Sequence, residues 1–383
     1  MNLPELLTYA DISQLYDIAD HYALPRTHSK NDLIRTLLSN MQRPQWWRER
    51  TQTMAHEERR FWQLLFFDSR EMFNLEELLG KGRQALQGKD GNPRTFVAKS
   101  LKAGVLFPGV VMGDRSLFHV PRDVRKYVIQ ALKSQIIPKV ACQEEPQVYR
   151  DEQMCLVSDL KTFLDYVGKQ DVRLTAESAI YRRDLQAILG QMLIQEKPID
   201  KKQWRFGFGR RYHQYPDRFS LLYDYAYYRQ HIAENGPLLS LMTPLDRNDK
   251  NREKVAEDLY NFWLRLYRKP VPALPLIVKW IYLLARSDWI RLRGLKSIVD
   301  EWLSPYYYMD KDSVFQLLLK MLTHLGVIRY AEDALQMTES GNAWVERSAG
   351  WDLSELEDQY TTTASEQNFF RNQQGNSEGT LNK

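Results

Sequence analysis

Apolar positions along this chain recur mostly at helical spacing, broken at intervals by short β-type runs. Leu6, Leu7, Leu15 and Ile18 follow a helical period until Leu24-Pro25 interrupts it. Ser29 is placed to cap a second helix, with Leu33, Ile34, Leu37 and Leu38 on its apolar face and Asp32 in its first turn. Pro44 ends that pattern, and Trp46 and Trp47 follow in a basic linker. The spacing then predicts an amphipathic helix over 57–67, a short one over 75–79, and a flexible Gly/Lys loop over 80–93. A third helix over 96–103 is stopped by Gly104. Val105-Leu106-Phe107 and Leu117-Phe118-His119-Val120 read as two short strands around a loop, and Pro121 suits the start of the next helix.

The same grammar returns near the C-terminus. A helix over 314–325 ends at Gly326, Val327-Ile328-Arg329 and Leu335-Gln336-Met337 read as strands around a turn at 331–334, and Thr338 caps a helix through 345. Leu-Lys-Ala-Gly-Val-Leu at 101–106 parallels Thr-His-Leu-Gly-Val-Ile at 323–328, the mark of an internal structural repeat. Helix, helix, helix, strand, wing, strand is the winged-helix order, a helix-turn-helix variant. Between these units, 156–167, a strand at 172–175 and 181–192 form one stretch, and helices over 219–232, 238–242 and 255–267 form another. Pro270, Pro272 and Pro275 suggest a hinge. The expected fold class is mainly α with short β wings, built as tandem winged-helix units. The expected divisions are a helical module at 1–43, a winged-helix unit at 50–140, a helical and winged-helix middle region at 150–270, a C-terminal winged-helix unit at 271–350, and an acidic then disordered tail at 351–383.

Composition narrows the function classes. With 43% hydrophobic and 27% charged residues in 383, the chain is neither fibrous nor mostly disordered. A net charge of +4 is too mild by itself to indicate nucleic acid. Two cysteines, Cys142 and Cys155, make no disulfide framework, and no CxxC pair is present, so a cytoplasmic protein is expected. Residues 1–11 carry early acids and no basic start, unlike a signal peptide. The apolar stretch at 271–285 contains Pro272, Pro275 and Lys279 and is too short to span a bilayer, so no membrane partner is expected.

Catalytic motifs are lacking. No Walker phosphate loop or GxSxG is present, and His56-Glu57-Glu58 is not HExxH because Arg60 occupies the place of the second histidine. Asp246, Asp249, Glu253 and Glu257 include helix-spaced acids but lack the EF-hand pattern. A non-enzymatic protein without cofactor or metal is expected.

One segment stands apart. Residues 201–218 carry Lys201, Lys202, Arg205, Arg210, Arg211 and Arg218 against one acid, Asp217, and so concentrate the whole positive excess of the chain. Trp204, Phe206, Phe208, Tyr212 and Tyr215 interleave these cations. Cations neutralise phosphates and aromatic faces stack on bases, which suits nucleic acid. The plainer alternative is a loop whose aromatics pack on a neighbouring domain while its cations stay in water. Arg94, Lys99 and Lys102 surround the third helix of the first unit, which is the reading helix of a winged helix. The matching helix at 315–322 offers only Lys320 and looks built for protein packing.

Two stretches carry a resemblance. Residues 159–189, with Val172-Arg173-Leu174-Thr175 followed by Arg183-Asp184-Leu185, resemble a segment of bacterial relatives of the N-terminal, helicase-associated region of XPB-type DNA helicases. The units ending at 117–128 and 335–345 fit the same layout, so the resemblance covers roughly 50–347, patchily. It often has glycine in the turn after the strand, where this chain has Glu177-Ser178-Ala179, and no helicase motor is present. Residues 5–38 are similar to a SAP-type module, matched at Leu24-Pro25, Lys30, Leu33-Ile34 and Leu37, with Ala23 and His28 at its usual glycines. That resemblance implies that Arg26, Ser29 and Lys30 face phosphates. Together these imply a DNA-binding accessory protein of repair, replication or transcription. The alternative is an adaptor that docks a helicase or RNA polymerase without touching DNA.

Overall fold

The computed structural model describes residues 1–109, 116–199, 209–245, 249–306 and 309–349. They form a mainly helical chain with three small antiparallel sheets. Two compact units divide the described residues: Met1–Ala131 with Glu346–Ala349, and Leu132–Val345.

The first unit opens with α1 (Leu3–Tyr9), α2 (Ile12–His21), α3 (Lys30–Met41) and α4 (Pro44–Gln52). Asp11 and Ser29 cap α2 and α3 by accepting the backbone N–H of Gln14 and Asp32. The segment read as a basic linker is α4, with Pro44 in its first turn and Trp47 fully buried. There follow α5 (His56–Phe66), β1 (Met72–Asn74), α6 (Leu75–Leu86), α7 (Arg94–Lys102), β2 (Phe107–Pro108) and β3 (Leu117–His119). Asn74 and Glu77 form a capping box that launches α6, which runs on through much of the stretch expected to be a Gly/Lys loop. Gly82 allows this, because its bare α-carbon faces Pro93 at a distance where a Cβ would stand 2.9 Å from the proline ring. The strands pair in the order β1-β3-β2, with Phe73 opposite Phe118. Phe61, Trp62, Leu65 and Phe73 are fully buried beneath the helices, each contributing about 1.5–3 kcal/mol of apolar burial. Helix α8 (Arg122–Ile136) runs across the division between the units.

The second unit contains β4 (Cys142–Gln143), α9 (Cys155–Lys169), β5 (Val172–Arg173), α10 (Arg182–Gln191), α11 (Asp217–Tyr228), β6 (Ile232–Asn235) and β7 (Leu238–Leu241). Its second half contains α12 (Asp249–Arg268), α13 (Leu274–Ala285), β8 (Trp289–Arg291), α14 (Leu292–Val299), α15 (Lys311–His324), β9 (Ile328–Tyr330) and β10 (Ala334–Met337), and α16 (Glu339–Ala349) closes the chain's described part. The expected helix at 238–242 is a strand: β6 and β7 form a hairpin around Gly236, and α11 therefore stops at Tyr228. Local apolar runs of this length fit either element, and pairing with β5 decides the outcome. Pro275 does not open a hinge; it sits in the first turn of α13, where its missing N–H costs nothing.

One order thus occurs three times: helix, strand, helix, helix, strand, strand. The strands are β1, β2, β3; β5, β6, β7; and β8, β9, β10, and each set pairs with its last strand in the middle. The third helix ends the same way in each. Gly104, Gln230 and Gly326 hold φ of 65°, 57° and 70°. The N–H of Val105, His231 and Val327 then reaches back to the carbonyl of Ser100, Ala226 and Leu322. Gln230 lacks the glycine that marks the other two, which hides the middle copy in the sequence. No described helix is long and apolar enough to cross a membrane.

Candidate functional site

Helix α7 has two unlike sides. Phe96, Val97 and Ser100 are buried, whereas Arg94, Thr95, Ala98, Lys99 and Lys102 are exposed. Positions 94, 98 and 102 succeed each other at i, i+4, i+8, and 95 and 99 lie beside them, so these five share one face. Lys99 donates to Glu58 on α5 at 2.9 Å, while Arg94 and Lys102 have no ion-pair partner among the described residues. The face is cationic at both ends and small in the middle. The loop between β2 and β3 lies largely in 110–115, outside the described residues.

The equivalent helices of the other two copies are different. On α11, every residue from Arg218 to Ala226 is buried. On α15 the exposed positions are Asp312, Ser313, Gln316 and Lys320, and Lys320 pairs with Asp217 at 2.7 Å.

The residues matched to a SAP-type module are occupied within the unit. Arg26 pairs with Asp20 and stands 5.2 Å from the ring centre of Tyr16. Ser29 caps α3, and Lys30 donates to the Thr8 carbonyl at 2.8 Å. These contacts hold the turn between α2 and α3.

Of the aromatic–basic segment, Lys201, Lys202, Trp204 and Arg205 lie outside the described residues. Arg210 and Arg211 both reach Glu234 on β6, at 3.2 and 3.0 Å. Arg211 also donates to the Glu177 carbonyl, tying the turn after β5 to the hairpin. The guanidinium of Arg210 lies 3.6 Å from the ring centre of Tyr227. Tyr212 is half-buried with its ring edge-on to His213. Tyr215 is fully buried and its hydroxyl accepts the Ile180 N–H at 2.8 Å. Arg218 is buried too. It pairs with Asp159 on α9 and, at 3.5 Å, with Glu152, which also meets His324 at 2.9 Å. Burial alone would raise the Glu152 carboxyl, but His324, Arg218 and Arg150 hold it below its ordinary range. This part of the segment departs from the plainer alternative as well: Tyr215 is buried, but Arg210, Arg211 and Arg218 pair with carboxylates of the fold rather than staying in water. Charge counting could not separate the cases, because the acids concerned lie 23 to 66 positions away in the chain.

The hairpin and α11 line an open cleft of about 1050 Å³ that the sequence did not announce. Asp224, Tyr227 and Tyr228 line it from α11, Ile232 and Glu234 from β6, and Phe262 from α12. Asp224 is 4% exposed, and burial pushes its carboxyl up to about 7 although the Arg210 N–H and the charges of Arg210 and Arg211 oppose the rise. The one signal in the sequence is an acid inside an otherwise apolar, aromatic helix, FSLLYDYAYY. Asp246 lies outside the described residues, and among the described residues no group of His, Cys, Asp and Glu could hold a metal ion.

No protein-family model, no curated protein and no solved structure matches this chain.

Proposed function

We propose that this protein is a non-enzymatic DNA-binding accessory protein of repair, replication or transcription, built from three winged-helix units, and that it grips duplex DNA through α7. The observation that carries this reading is the exposed face of α7, with Arg94, Lys99 and Lys102 around the small side chains of Thr95 and Ala98. In a winged helix the third helix enters the major groove. Small side chains let the helix approach base edges, and the flanking cations neutralise phosphates. The order of elements and the placement of the last strand between the other two support the winged-helix assignment. The resemblance to the XPB-type helicase-associated region and to a SAP-type module has support of its own. Ala23 and Ser178, where those families favour glycine, hold φ of 53° and 57°, a region that favours glycine.

Fluorescence anisotropy with labelled duplex and single-stranded DNA, titrated across salt, tests the proposal. The expected result is duplex binding that weakens steeply with salt. Replacing Arg94, Lys99 and Lys102 together by Ala should weaken it on all sequences alike and flatten the salt slope by about 1 for each phosphate no longer neutralised. An unchanged slope removes α7 from the interface, and no binding at low salt removes the proposal.

The buried α11, which turns no cation outward between Arg218 and Ala226, favours a second reading, an adaptor for a helicase or RNA polymerase. A partner captured from lysate that survives nuclease treatment, beside a protein that binds no DNA, supports it.

A further inference from the structure

The three copies differ at one strand edge. In each, the second strand of the set, β2, β6 or β9, lies at the rim of its sheet and pairs on one side only, with the last strand. The shared helix end sets the alignment, because the N–H of Val105, His231 and Val327 makes the same bond. Three residues further along stand Pro108, Glu234 and Tyr330. Pro108 has no N–H, so β2 cannot accept another strand there. Tyr330 is already taken: it donates to the Arg150 carbonyl at 3.0 Å and accepts the Arg150 N–H at 2.8 Å. The chain's own main chain thus continues the third sheet.

Glu234 has neither protection. Asn235 and Leu238 close the hairpin over Gly236 and Pro237, and the His231 carbonyl accepts the Met242 N–H at 2.7 Å. Antiparallel pairing alternates, so the N–H and C=O of Ile232 and Glu234 point away from β7. Among the described residues these backbone groups have no hydrogen-bond partner. The strand is held in place, because the Glu234 carboxylate accepts from Arg210, Arg211 and Tyr223. Ile232 and Glu234 line the open cleft together with Tyr228, Met242 and Phe262. Tyr228 and Met242 are large and apolar, yet 52% and 59% exposed. Sheet edges in folded proteins are normally blunted or covered, as the other two copies show. A bare edge beside apolar side chains selects an extended polypeptide, whose main chain repeats donors and acceptors at strand spacing. A nucleic acid or a small molecule carries no such repeat.

We propose that the β6 edge docks an extended segment of a partner protein. Its main chain pairs with Ile232 and Glu234, as Arg150 pairs with Tyr330, and its apolar side chains on one face rest on Tyr228, Met242 and Phe262. The site does not depend on α7 contacting DNA.

Short random peptides displayed on phage and selected on the full chain supply the probe. The tightest binder is then synthesised as a series with one backbone N-methyl group at each position in turn. Hydrogen–deuterium exchange of the full chain, with and without the peptide, locates the contact. Binding should slow exchange at Ile232 and Glu234. Methylation should weaken binding about tenfold at every second position, where the N–H faces β6, and little in between. Because the changes are carried by the peptide, no variant of the protein has to fold. Failure to select a peptide overturns the proposal, as does protection confined to other residues or an even loss along the series. Slow exchange at Glu234 in the free chain means that the chain or a second copy already covers the edge, and this too overturns it. Slowing at Glu234 by duplex DNA instead of peptide assigns the edge to nucleic acid and has the same consequence. Because α7 lies in the other unit, its triple Ala variant should keep the peptide affinity, which separates failure of this site from failure of the duplex-binding reading.

Discussion

The α-carbon of Gly209 lies directly against the carboxylate of Asp224: a Cβ at that position would stand 1.6 Å from Oδ2. The glycine also holds φ of 132°, which side-chain-bearing residues rarely adopt. This close approach brings the Arg210 N–H onto the buried carboxylate, and so places the Arg210 guanidinium on Tyr227 and Glu234.

Gly209→Ala should therefore destabilise the second unit by about 2–4 kcal/mol, combining backbone strain with a broken hydrogen bond to a buried carboxylate. Chemical denaturation measures it. In a double-mutant cycle with Asp224→Ala, the loss should be smaller than the sum of the two single changes, because the second substitution removes the obstructing oxygen. Full additivity would show that the two residues do not meet.

Asp224 also makes a prediction about pH. A carboxyl raised to about 7 in the folded chain binds its proton more tightly there than in the unfolded chain, where its ordinary value is 3.8. Its burial costs nothing below about pH 4, where both states are protonated, and the cost grows until about pH 7 and then stays constant. The groups facing it are Arg210 and Arg211, which lower the cost, and Glu234, which raises it. The stability of Asp224→Asn relative to the unsubstituted protein should thus improve between pH 4 and 7, by up to about 4 kcal/mol. Denaturant midpoints at several pH values give the curve, and a flat difference contradicts it.

The cluster of Arg218, Asp159 and Glu152 joins α9, α11 and the segment before α9. Asp159 additionally accepts the N–H of Leu193 at 2.6 Å. Asp159→Ala leaves a guanidinium buried beside one remaining acid and should cost about 3–5 kcal/mol. Lys320→Ala, which breaks a surface pair with Asp217, should change stability by less than about 1 kcal/mol. Equal losses in the two variants would mean that burial does not set the value of these pairs.

By itself, the sequence determined many of the helices and the matching helix ends of the two outer copies, at 101–106 and 323–328. Those features depend on signals a few residues apart: the cap at Ser29, the apolar period of α5, and the glycines at 104 and 326. It did not determine the middle copy, because Gln230 takes the backbone conformation of a glycine and because β7, a four-residue apolar run, becomes a strand only by pairing with β5 and β6. Nor did it show that Arg210, Arg211 and Arg218 serve the fold, whereas the cations of α7 face outward. A residue's charge is written in the sequence, but its partner is not. Glu234, Asp159 and Glu152 reach those arginines only after the chain has folded, and the same folding buries Asp224 with one donor among the described residues. Local periodicity therefore sufficed for the elements, and long-range packing decided which charges remain available to a partner.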